Sequence, residues 1–353
     1  MSKRTTTVMA AVALVCAMGI LTPGASYAAP AKPEPPTTAA GKGPDLEQVR
    51  AQLDLLYHDA ALATEEYNAA EEKAQKQSAQ IVELAKDIVK GQQKLERLKA
   101  RAGAAARQQY RSGGIPAEAQ LVLSDDPTQF LDGASRLRQG QRATKGLIGE
   151  LTRTQEDLQT YAQDAASGWE KLEAGRKEKA RAKKKIKSKI AAAEKLESRL
   201  EKKERERLKE LEQQAEYKQQ TAWLSSGVLK DIHGKSSSRG QEAVAFATAQ
   251  IGKPYVWGAV GPGSYDCSGL TSQAWAAAGH AIPRTSQEQW RRLKHIAVKD
   301  MRPGDLIIYF DDASHVGMYI GDGAIVHAPR PGRNVTIAGA GSMSILGVVR
   351  PDA

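Results

Sequence analysis

One cysteine in the C-terminal third of the sequence stands where a nucleophile could work. Cys267 lies in the segment YDCSGL, and the only other cysteine, Cys16, is close to the N-terminus. The apolar spacing after Asp266 predicts a helix that begins at Cys267 and stops at Gly279. A thiol on the first turn of a helix meets unpaired N–H groups and the positive end of the helix dipole. We therefore expect its pKa to lie below that of a free cysteine.

Two histidines downstream fall in a predicted hairpin. The segment SHVGMYIGDGAIVHA alternates like two strands around a turn at residues 321–323. A three-residue turn pairs Gly317 with His327 and Ile320 with Ala324, which puts His315 and His327 on one face of the sheet. A two-residue turn would put the two histidines on opposite faces. We predict the three-residue turn.

Together these side chains predict a cysteine hydrolase triad. Cys267 is the nucleophile, His315 the general base, and His327 the residue that fixes the tautomer of His315. A lone cysteine or histidine is more often a packed structural residue, and a zinc site would use the same three side chains. However, the separation of 48 positions from Cys267 to His315 resembles no common zinc spacing. No metal or organic cofactor is predicted, and the histidines without such partners are interpreted as structural: His58, His233, His280 and His295.

The N-terminus predicts export. Residues 1–29 have a basic start, an apolar stretch and a small-x-small cleavage motif, as in a secretory signal peptide. The apolar stretch is too short to span a bilayer, and the residues before Cys16 disfavour its acylation. We expect a secreted, extracytoplasmic protein associated with the cell wall. Cys267 is then the one cysteine left, it cannot form an intramolecular disulfide, and a free thiol in an oxidising compartment favours a working role.

Composition and charge restrict the class of partner. The 353 residues carry a formal net charge of +10, and 5% of them are aromatic. This excess indicates an anionic neighbourhood such as wall polymers or lipid headgroups, and no aromatic-plus-basic motif points to nucleic acid. Between Lys171 and Lys189 stand ten Lys or Arg and two Glu. Such a run is either a solvated helix face or a contact surface for an anionic wall or membrane.

The chain divides into five parts. A Pro-rich linker at 30–44 follows the leader, and residues 45–224 show the 3-4 apolar spacing of an antiparallel coiled-coil hairpin. Its first helix runs from Asp45 to a break at 112–116, and its second from about Thr128 to Leu224. A Gly/Ser-rich hinge at 225–239 leads to a globular domain at 240–353. The predicted fold is α+β at the C-terminus, preceded by the all-α hairpin.

Four ordered segments carry a family resemblance. YVWGAVGPGSYDCSGL, IPRTSQEQW, MRPGDLIIYF and HVGMYIGDGAIVHAPRPG resemble the NlpC-type papain-like cysteine peptidases of bacterial cell walls. The resemblance covers residues 240–353 and implies that the α+β part is papain-like and carries the same triad of Cys267, His315 and His327. It also implies that Tyr255 lines the oxyanion region, and that Asp266 and Ser268 lie near the acyl-donor peptide.

The resemblance implies a secreted peptidoglycan hydrolase. The expected activity is a cysteine endopeptidase that cleaves the stem peptide between D-isoglutamate and the diamino acid. Alternatives are a muramoyl-alanine amidase with the same triad and a non-catalytic coiled-coil scaffold that binds the wall. The helical half resembles the coiled-coil arms of related wall hydrolases. In those proteins the arms are regulated by a division-associated ABC-transporter-like membrane complex. We expect this arm either to restrain the enzyme until a partner moves it or to act only as a spacer.

Overall fold

The structure is a computed structural model that describes residues 45–111, 119 and 127–353. The predicted leader (1–29), the linker (30–44) and nearly all of the predicted break and turn between the long helices (112–126) lie outside the described residues. Those residues all fall within one compact unit. No helix among them is long and apolar enough to cross a membrane.

Two long helices form an antiparallel pair, which we call the arm. Helix α1 spans Leu46–Arg111 and α2 spans Pro127–Ser198. Ion pairs join Asp59 to Lys189 at 2.6 Å and Lys94 to Glu150 at 3.1 Å, so positions in α2 fall as positions in α1 rise. The predicted 3-4 spacing is confirmed by the side chains that the arm buries: Val49, Leu53, Ala60, Ala63, Ala70, Ile81, Leu98, Leu172, Ala182, Ile186 and Ala193.

The second predicted helix is wrong in one respect, because it is broken near its end. Helix α2 stops at Ser198 and α3 runs from Lys202 to Ser225. Between them Leu200 is buried against the start of α1, and a capping box formed by Glu201 and Glu204 begins the new helix. A capping box usually opens with Ser or Thr. Two glutamates in a charged helix therefore gave no clear sign of the break.

Part of the basic run at 171–189 is used inside the arm. Lys179 pairs with Glu71, and Lys185 lies 3.4 Å from Glu66. These contacts cross between α2 and α1, so the run is not solely a solvated face. Lys189 also pairs with Asp59 of α1, and Arg176 pairs with Glu173 within α2.

The predicted hinge at 225–239 is only in part a linker. A short 3₁₀ helix spans Val228–Asp231. Ser236 then donates to the carbonyl of Pro303 at 2.7 Å, and Ser237 bonds Asp352 while capping α4, which spans Ser238–Thr248. These bonds attach the second half of the segment to the C-terminal domain. The domain therefore begins near Ser236, a few residues before the predicted boundary at 240.

The C-terminal domain combines helices with one antiparallel sheet, which confirms the α+β prediction. Helix α4 is followed by α5, Cys267–Ala277, and α6, Ser286–Arg292. Six strands follow in the order β1-β6-β2-β3-β4-β5 across the sheet. In chain order, strands β1 to β6 span Lys294–Ile296, Leu306–Tyr309, His315–Gly321, Ala324–His327, Thr336–Gly339 and Ile345–Arg350.

Both faces of the sheet are covered, which fixes the strands that carry the histidines. On one face Ile308 and Met318 belong to the core that includes Trp275 of α5. On the other face Tyr319 and Ile325 belong to a core that Trp223, at the end of α3, packs against. Successive strand residues point to opposite faces, so β3 contributes to both cores. The packing holds the first residue of β3, His315, close to the start of α5.

Candidate active site

The hairpin of β3 and β4 has the predicted register in its body. Met318 pairs with Val326 and Tyr319 with Ile325, which are the partners that the three-residue turn requires. The register shifts at the turn, where Gly321 pairs with Ala324. The predicted pairing of Ile320 with Ala324 is therefore wrong. The shift is confined to the turn, so it leaves the co-facial placement of the histidines intact.

His315 and His327 are in contact, as predicted. His315 Nε2 and His327 Nδ1 lie 3.0 Å apart, and the two rings are nearly perpendicular. Burial lowers the pKa of His327 to about 4, and burial together with His327 lowers the pKa of His315 well below its usual range. Both rings are therefore neutral at neutral pH. Because Nε2 of His315 is engaged, Nδ1 is the nitrogen left for a thiol.

Cys267 begins α5, as predicted, and its sulfur lies beside the histidine strand. Backbone N–H groups of Ser268 and of Val316, the residue after His315, act on the thiol and favour its ionised form. The expected low pKa is nevertheless wrong for this state. Burial, and after it the charges of Glu65 and Asp266, raise the pKa of Cys267 well above its usual value. Desolvation outweighs the helix start because the thiol is sealed from water.

Asp266 is the cap that positions the nucleophile. Its side chain is fully buried, accepts from Gly269 N at 2.6 Å and pairs with Arg284 Nη2 at 2.7 Å. A Cβ at position 269 would meet the carbonyl of Ala259, so glycine is required there. The Asp-Cys-Ser-Gly segment is thus explained by the close approach of two backbones and by one buried ion pair.

A glutamate of the arm occupies the mouth of this site. Glu65 of α1 is fully buried, and its Oε1 accepts from Ser268 Oγ at 2.8 Å and lies 3.7 Å from Cys267 Sγ. Its Oε2 accepts from the backbone N–H of Ser286 at 2.8 Å. Within the described part of the chain, the thiol is bonded to Glu65 and makes no hydrogen bond to His315. The position expected for the acyl-donor peptide beside Ser268 is thus filled by the protein itself.

Burial changes the ionisation of that glutamate. Desolvation, and after it the charge of Asp266, raise the pKa of Glu65 to about 7. Ser268 and Arg284 act in the opposite direction. The carboxyl group is therefore close to half-protonated at neutral pH in the closed arrangement.

Neighbouring residues of α1 extend the contact along the cleft. Asn68 Nδ2 donates to Asp266 Oδ2 at 3.1 Å, so the second residue expected near the peptide also meets the arm. Tyr67 packs edge-on against Trp257, with ring centroids 5.2 Å apart. Both contacts lie within one turn of Glu65, and together they form a continuous cover over the cysteine.

The predicted oxyanion residue lies under the same cover. Tyr255 is 7% exposed, and burial and then the Cys267 charge raise the pKa of its phenol well above the usual value. A hydrogen bond to the side chain of Thr64 in α1 opposes that rise. Tyr255 is therefore close to both the nucleophile and the arm, and its hydroxyl stays protonated and able to donate.

His58 is not the unpartnered histidine that its sequence context indicated. Its Nε2 lies 3.0 Å from Asp312 Oδ2, and its ring meets Phe310 edge-on. Asp312 and Phe310 belong to the loop that precedes β3. His58 therefore anchors α1 to the peptidase domain about two turns before Glu65.

A second helix contacts the loop between β4 and β5. Arg330 Nη2 donates to Glu212 Oε1 of α3 at 2.8 Å, and Arg333 bonds the other oxygen of the same carboxylate. Gln220 of α3 donates to the carbonyl of Gly323 at 3.1 Å and accepts from Gly341 N at 2.6 Å. The peptidase domain is thus held by α1 over the cleft and by α3 along the sheet edge.

Several of these residues were missed in the sequence because nothing local marks them. Glu65 and Asn68 are polar residues in a charged helix, where exposure is the usual outcome. Arg284 belongs to the IPRTSQEQW segment, which is one of the four that carry the family resemblance. Nothing in that segment indicates that Asp266 is its partner. The partners of Glu65 and Asn68 are about 200 residues away, and only the tertiary fold brings them together.

Comparison with known proteins agrees with this geometry. The NlpC/P60 family model matches residues 252–343. A protein named probable endopeptidase from Corynebacterium glutamicum is 46% identical over 93 residues, which are 26% of this chain and 44% of that protein. Another probable endopeptidase, from Mycobacterium tuberculosis, is 44% identical over 94 residues, 27% of this chain and 24% of that protein.

One solved structure is similar to the C-terminal part of this chain. The crystal structure of the NlpC/p60 domain of the peptidoglycan hydrolase SagA is 32% identical, and the match covers 31% of this chain and 97% of that one, with a TM-score of 0.30. The chain spans less than half the length of the curated relatives above. The matched segment contains Cys267, His315 and His327 in one domain. Residues 252–343 of this chain therefore form a domain of the NlpC/P60 family.

Proposed function

We propose that the protein is a secreted peptidoglycan hydrolase, a cysteine endopeptidase that cleaves stem peptides between D-isoglutamate and the diamino acid. The observation that carries the proposal is the contact of His315 Nε2 with His327 Nδ1 at 3.0 Å, on the strand whose Val316 N–H acts on the Cys267 thiol. The four segments of the family resemblance and the relatives named as endopeptidases support the reaction class.

The chemistry follows from the free nitrogen of His315. His327 Nδ1 accepts from His315 Nε2, which leaves Nδ1 of His315 unprotonated and able to take the proton of Cys267. The thiolate attacks the amide carbonyl, and the oxyanion is held by the Cys267 backbone N–H and the Tyr255 hydroxyl. His315 then gives the proton to the leaving amine. Water, deprotonated by the same ring, attacks the thioester and releases the acid and the thiol.

The arm restrains this reaction in the proposed function. Glu65 takes the hydrogen bond of the thiol, fills the space beside Ser268 and raises the pKa of Cys267. Hydrolysis requires a thiol that is hydrogen-bonded to His315, an empty peptide site beside Ser268 and a thiolate that the substrate can reach. The closed chain is therefore an inactive form, and displacement of α1 from the cleft is the activating step. This favours restraint over a spacer role.

The arm has the length to be moved from a distance. From Asn68 to Arg111, α1 runs a further 43 residues, or about 65 Å at 1.5 Å per residue. Away from the cleft the two helices of the arm expose apolar side chains, among them Tyr110 of α1 and Leu131 and Ile148 of α2. These features support a partner that binds the arm at the end distant from Cys267. A division-associated ABC-transporter-like membrane complex is the partner that the sequence resemblance implies.

The proposal is tested with muropeptides and a matched pair of variants. Glu65→Ala removes the carboxylate from the cleft, whereas Glu66→Ala removes an exposed neighbour that pairs with Lys185. We expect mass spectrometry to show new D-isoglutamate ends, formed at least tenfold faster by the Glu65 variant than by wild type or the Glu66 variant. Cys267→Ala in the Glu65→Ala background serves as the inactive control.

Three other outcomes would replace the proposal. Free glycan with intact peptides would identify a muramoyl-alanine amidase. Absence of cleavage by every variant would identify a wall-binding scaffold without catalysis. Equal rates for the Glu65 variant and wild type would leave the endopeptidase but reduce the arm to a spacer.

A further inference from the structure

Two arginines on the loop from β4 to β5 bind both oxygens of one carboxylate. Arg330 Nη2 donates to Glu212 Oε1 at 2.8 Å, and Arg333 Nη2 bonds Glu212 Oε2. The Glu212 side chain is only 14% exposed, so water screens the contact weakly. Two guanidinium groups side by side match the two oxygens of a carboxylate better than a single point charge does. Arg330 and Arg333 are called the arginine pair below.

The loop that carries the arginine pair connects two residues of the proposed mechanism. It leaves β4 after His327, and Arg330 stands three residues further on. At its other end the carbonyl of Arg333 accepts from Tyr255 N at 2.9 Å. The pair therefore lies on a segment attached at one end to the triad and at the other to the proposed oxyanion residue.

Helix α1 gives the distance from the pair to the nucleophile. The guanidinium of Arg330 lies 4.0 Å from the ring centroid of Tyr57, and Glu65 of the same helix contacts Cys267. Eight residues separate Tyr57 from Glu65, which is about 12 Å along the helix axis. An extended peptide covers that distance in about four residues, and fewer with long side chains. The pair is thus within reach of the part of a bound stem peptide that flanks the cleaved bond.

The pair borders the side of the cleft that receives the leaving group. His315 must protonate the leaving amine, so the residue that carries this amine lies beside the two histidines, where the loop begins. Glu65 is bound instead to Ser268 and Ser286, close to the Cys267 thiol. The helices therefore supply one carboxylate beside the thiol and another beside the loop that begins after His327.

We propose that the arginine pair is a carboxylate subsite for the leaving-group residue and that Glu212 occupies it in the closed chain. The inference rests on the proposed endopeptidase activity and adds to it a rule of substrate choice. When α3 withdraws, two positive charges face the cleft beside His327. They select a diamino acid with free carboxylates over a leaving residue whose carboxylates are blocked.

The test compares two peptides on the full mature chain. One is L-alanyl-γ-D-glutamyl-diaminopimelate, and the other is the same tripeptide with both diaminopimelate carboxylates amidated. The measurement is the ratio of kcat/KM for the free acid to kcat/KM for the amide. Opening of the chain multiplies both values equally, so the ratio reports the subsite and not the fraction of open protein.

Glu212→Gln removes the carboxylate that the two arginines share, while Arg330 keeps its contact with Glu197 at 3.7 Å. It serves as the parent variant because it keeps both arginines. In this background we expect Arg333→Gln to lower the ratio at least tenfold, which corresponds to about 1.4 kcal/mol. Arg330→Gln is expected to act in the same direction. Arg291→Gln removes an exposed charge of α6 that pairs with Glu288, and it should leave the ratio unchanged.

If Arg330→Gln and Arg333→Gln both hydrolyse the peptides with an unchanged ratio of kcat/KM, the arginine pair serves only to bind α3. That result would overturn the inference. A decrease as large in Arg291→Gln would also overturn it, because the effect would then be net charge. Absence of cleavage of both peptides by the Glu212→Gln parent and by Glu65→Ala would instead refute the proposed endopeptidase, so the two failures are distinguishable.

Discussion

The Glu65 carboxylate lies 3.7 Å from the Cys267 thiol, although 202 residues separate them along the chain. The contact joins the arm to the proposed nucleophile and replaces the hydrogen bond that the proposed mechanism requires between Cys267 and His315. Because the same carboxylate also binds Ser268 and Ser286, removing α1 uncovers the nucleophile and its peptide site in one step.

The two histidines are expected to differ in importance. In the Glu65→Ala background, His315→Ala should abolish hydrolysis, because base and nucleophile act as one unit. His327→Ala should be milder, since water can replace part of its role in orienting His315. Peptide turnover checks both, with circular dichroism as the control for folding. Equal losses in the two variants would contradict the assigned roles.

Thiol reactivity should report the position of the arm. In wild type, burial and the charges of Glu65 and Asp266 raise the pKa of Cys267, so iodoacetamide should alkylate it slowly at neutral pH. Glu65→Ala should raise the alkylation rate at least tenfold, because the cover opens and the helix start then favours the thiolate. Glu66→Ala is the matched control. Similar rates in all three proteins would show that α1 does not seal the thiol.

The closed state should weaken as the pH rises. The pKa of Glu65 is raised from 4.5 to about 7 on docking, so the docked arm holds a proton that the free arm loses. The contribution of Glu65 to docking is therefore full below pH 4.5 and is lost as the pH rises through about 7. The difference between these two pKa values corresponds to about 3 kcal/mol.

A comparison with Glu65→Gln measures this effect. Glutamine keeps the shape of the protonated acid and does not titrate, while Cys267, Asp266 and Arg284 stay the same in both proteins. We expect the ratio of kcat/KM for wild type to kcat/KM for Glu65→Gln to rise between pH 5.5 and pH 8, because the docked carboxyl group loses its proton over this range. A ratio that is constant with pH would mean that Glu65 is not protonated in the cleft.

The join between the helices and the peptidase domain should contribute to stability. Ser237 caps α4 by accepting from Gly240 N at 2.9 Å, and its hydroxyl also bonds Asp352. Ser237→Ala should lower the free energy of unfolding by about 1 kcal/mol or somewhat more, as expected for a lost cap. Thermal unfolding checks this, with the exposed Ser238→Ala as the control. Equal stability of Ser237→Ala and Ser238→Ala would show that the bonds of Ser237 do not stabilise the domain and that residues 225–239 act as a linker.

The sequence by itself determined the parts of the site that depend on local periodicity. Period-2 alternation placed His315 and His327 on one face, because a strand reverses its side chains at every residue. Helix spacing put Cys267 on the first turn of α5, and the 3-4 seam predicted the antiparallel arm. Each of these features is encoded within a few residues, so the pattern could be recognised without the fold.

Only the tertiary structure decided the state of the site. The ionisation of Cys267 depends on water exclusion by α1 and on the charge of Glu65, and neither is visible near position 267. The break at Leu200 likewise follows from packing against the start of α1. Contacts across 200 residues leave no period in the sequence, because docking of one element on another uses single side chains. The residues of the proposed triad are therefore predictable from local patterns, whereas the contacts that cover them are a property of the folded chain.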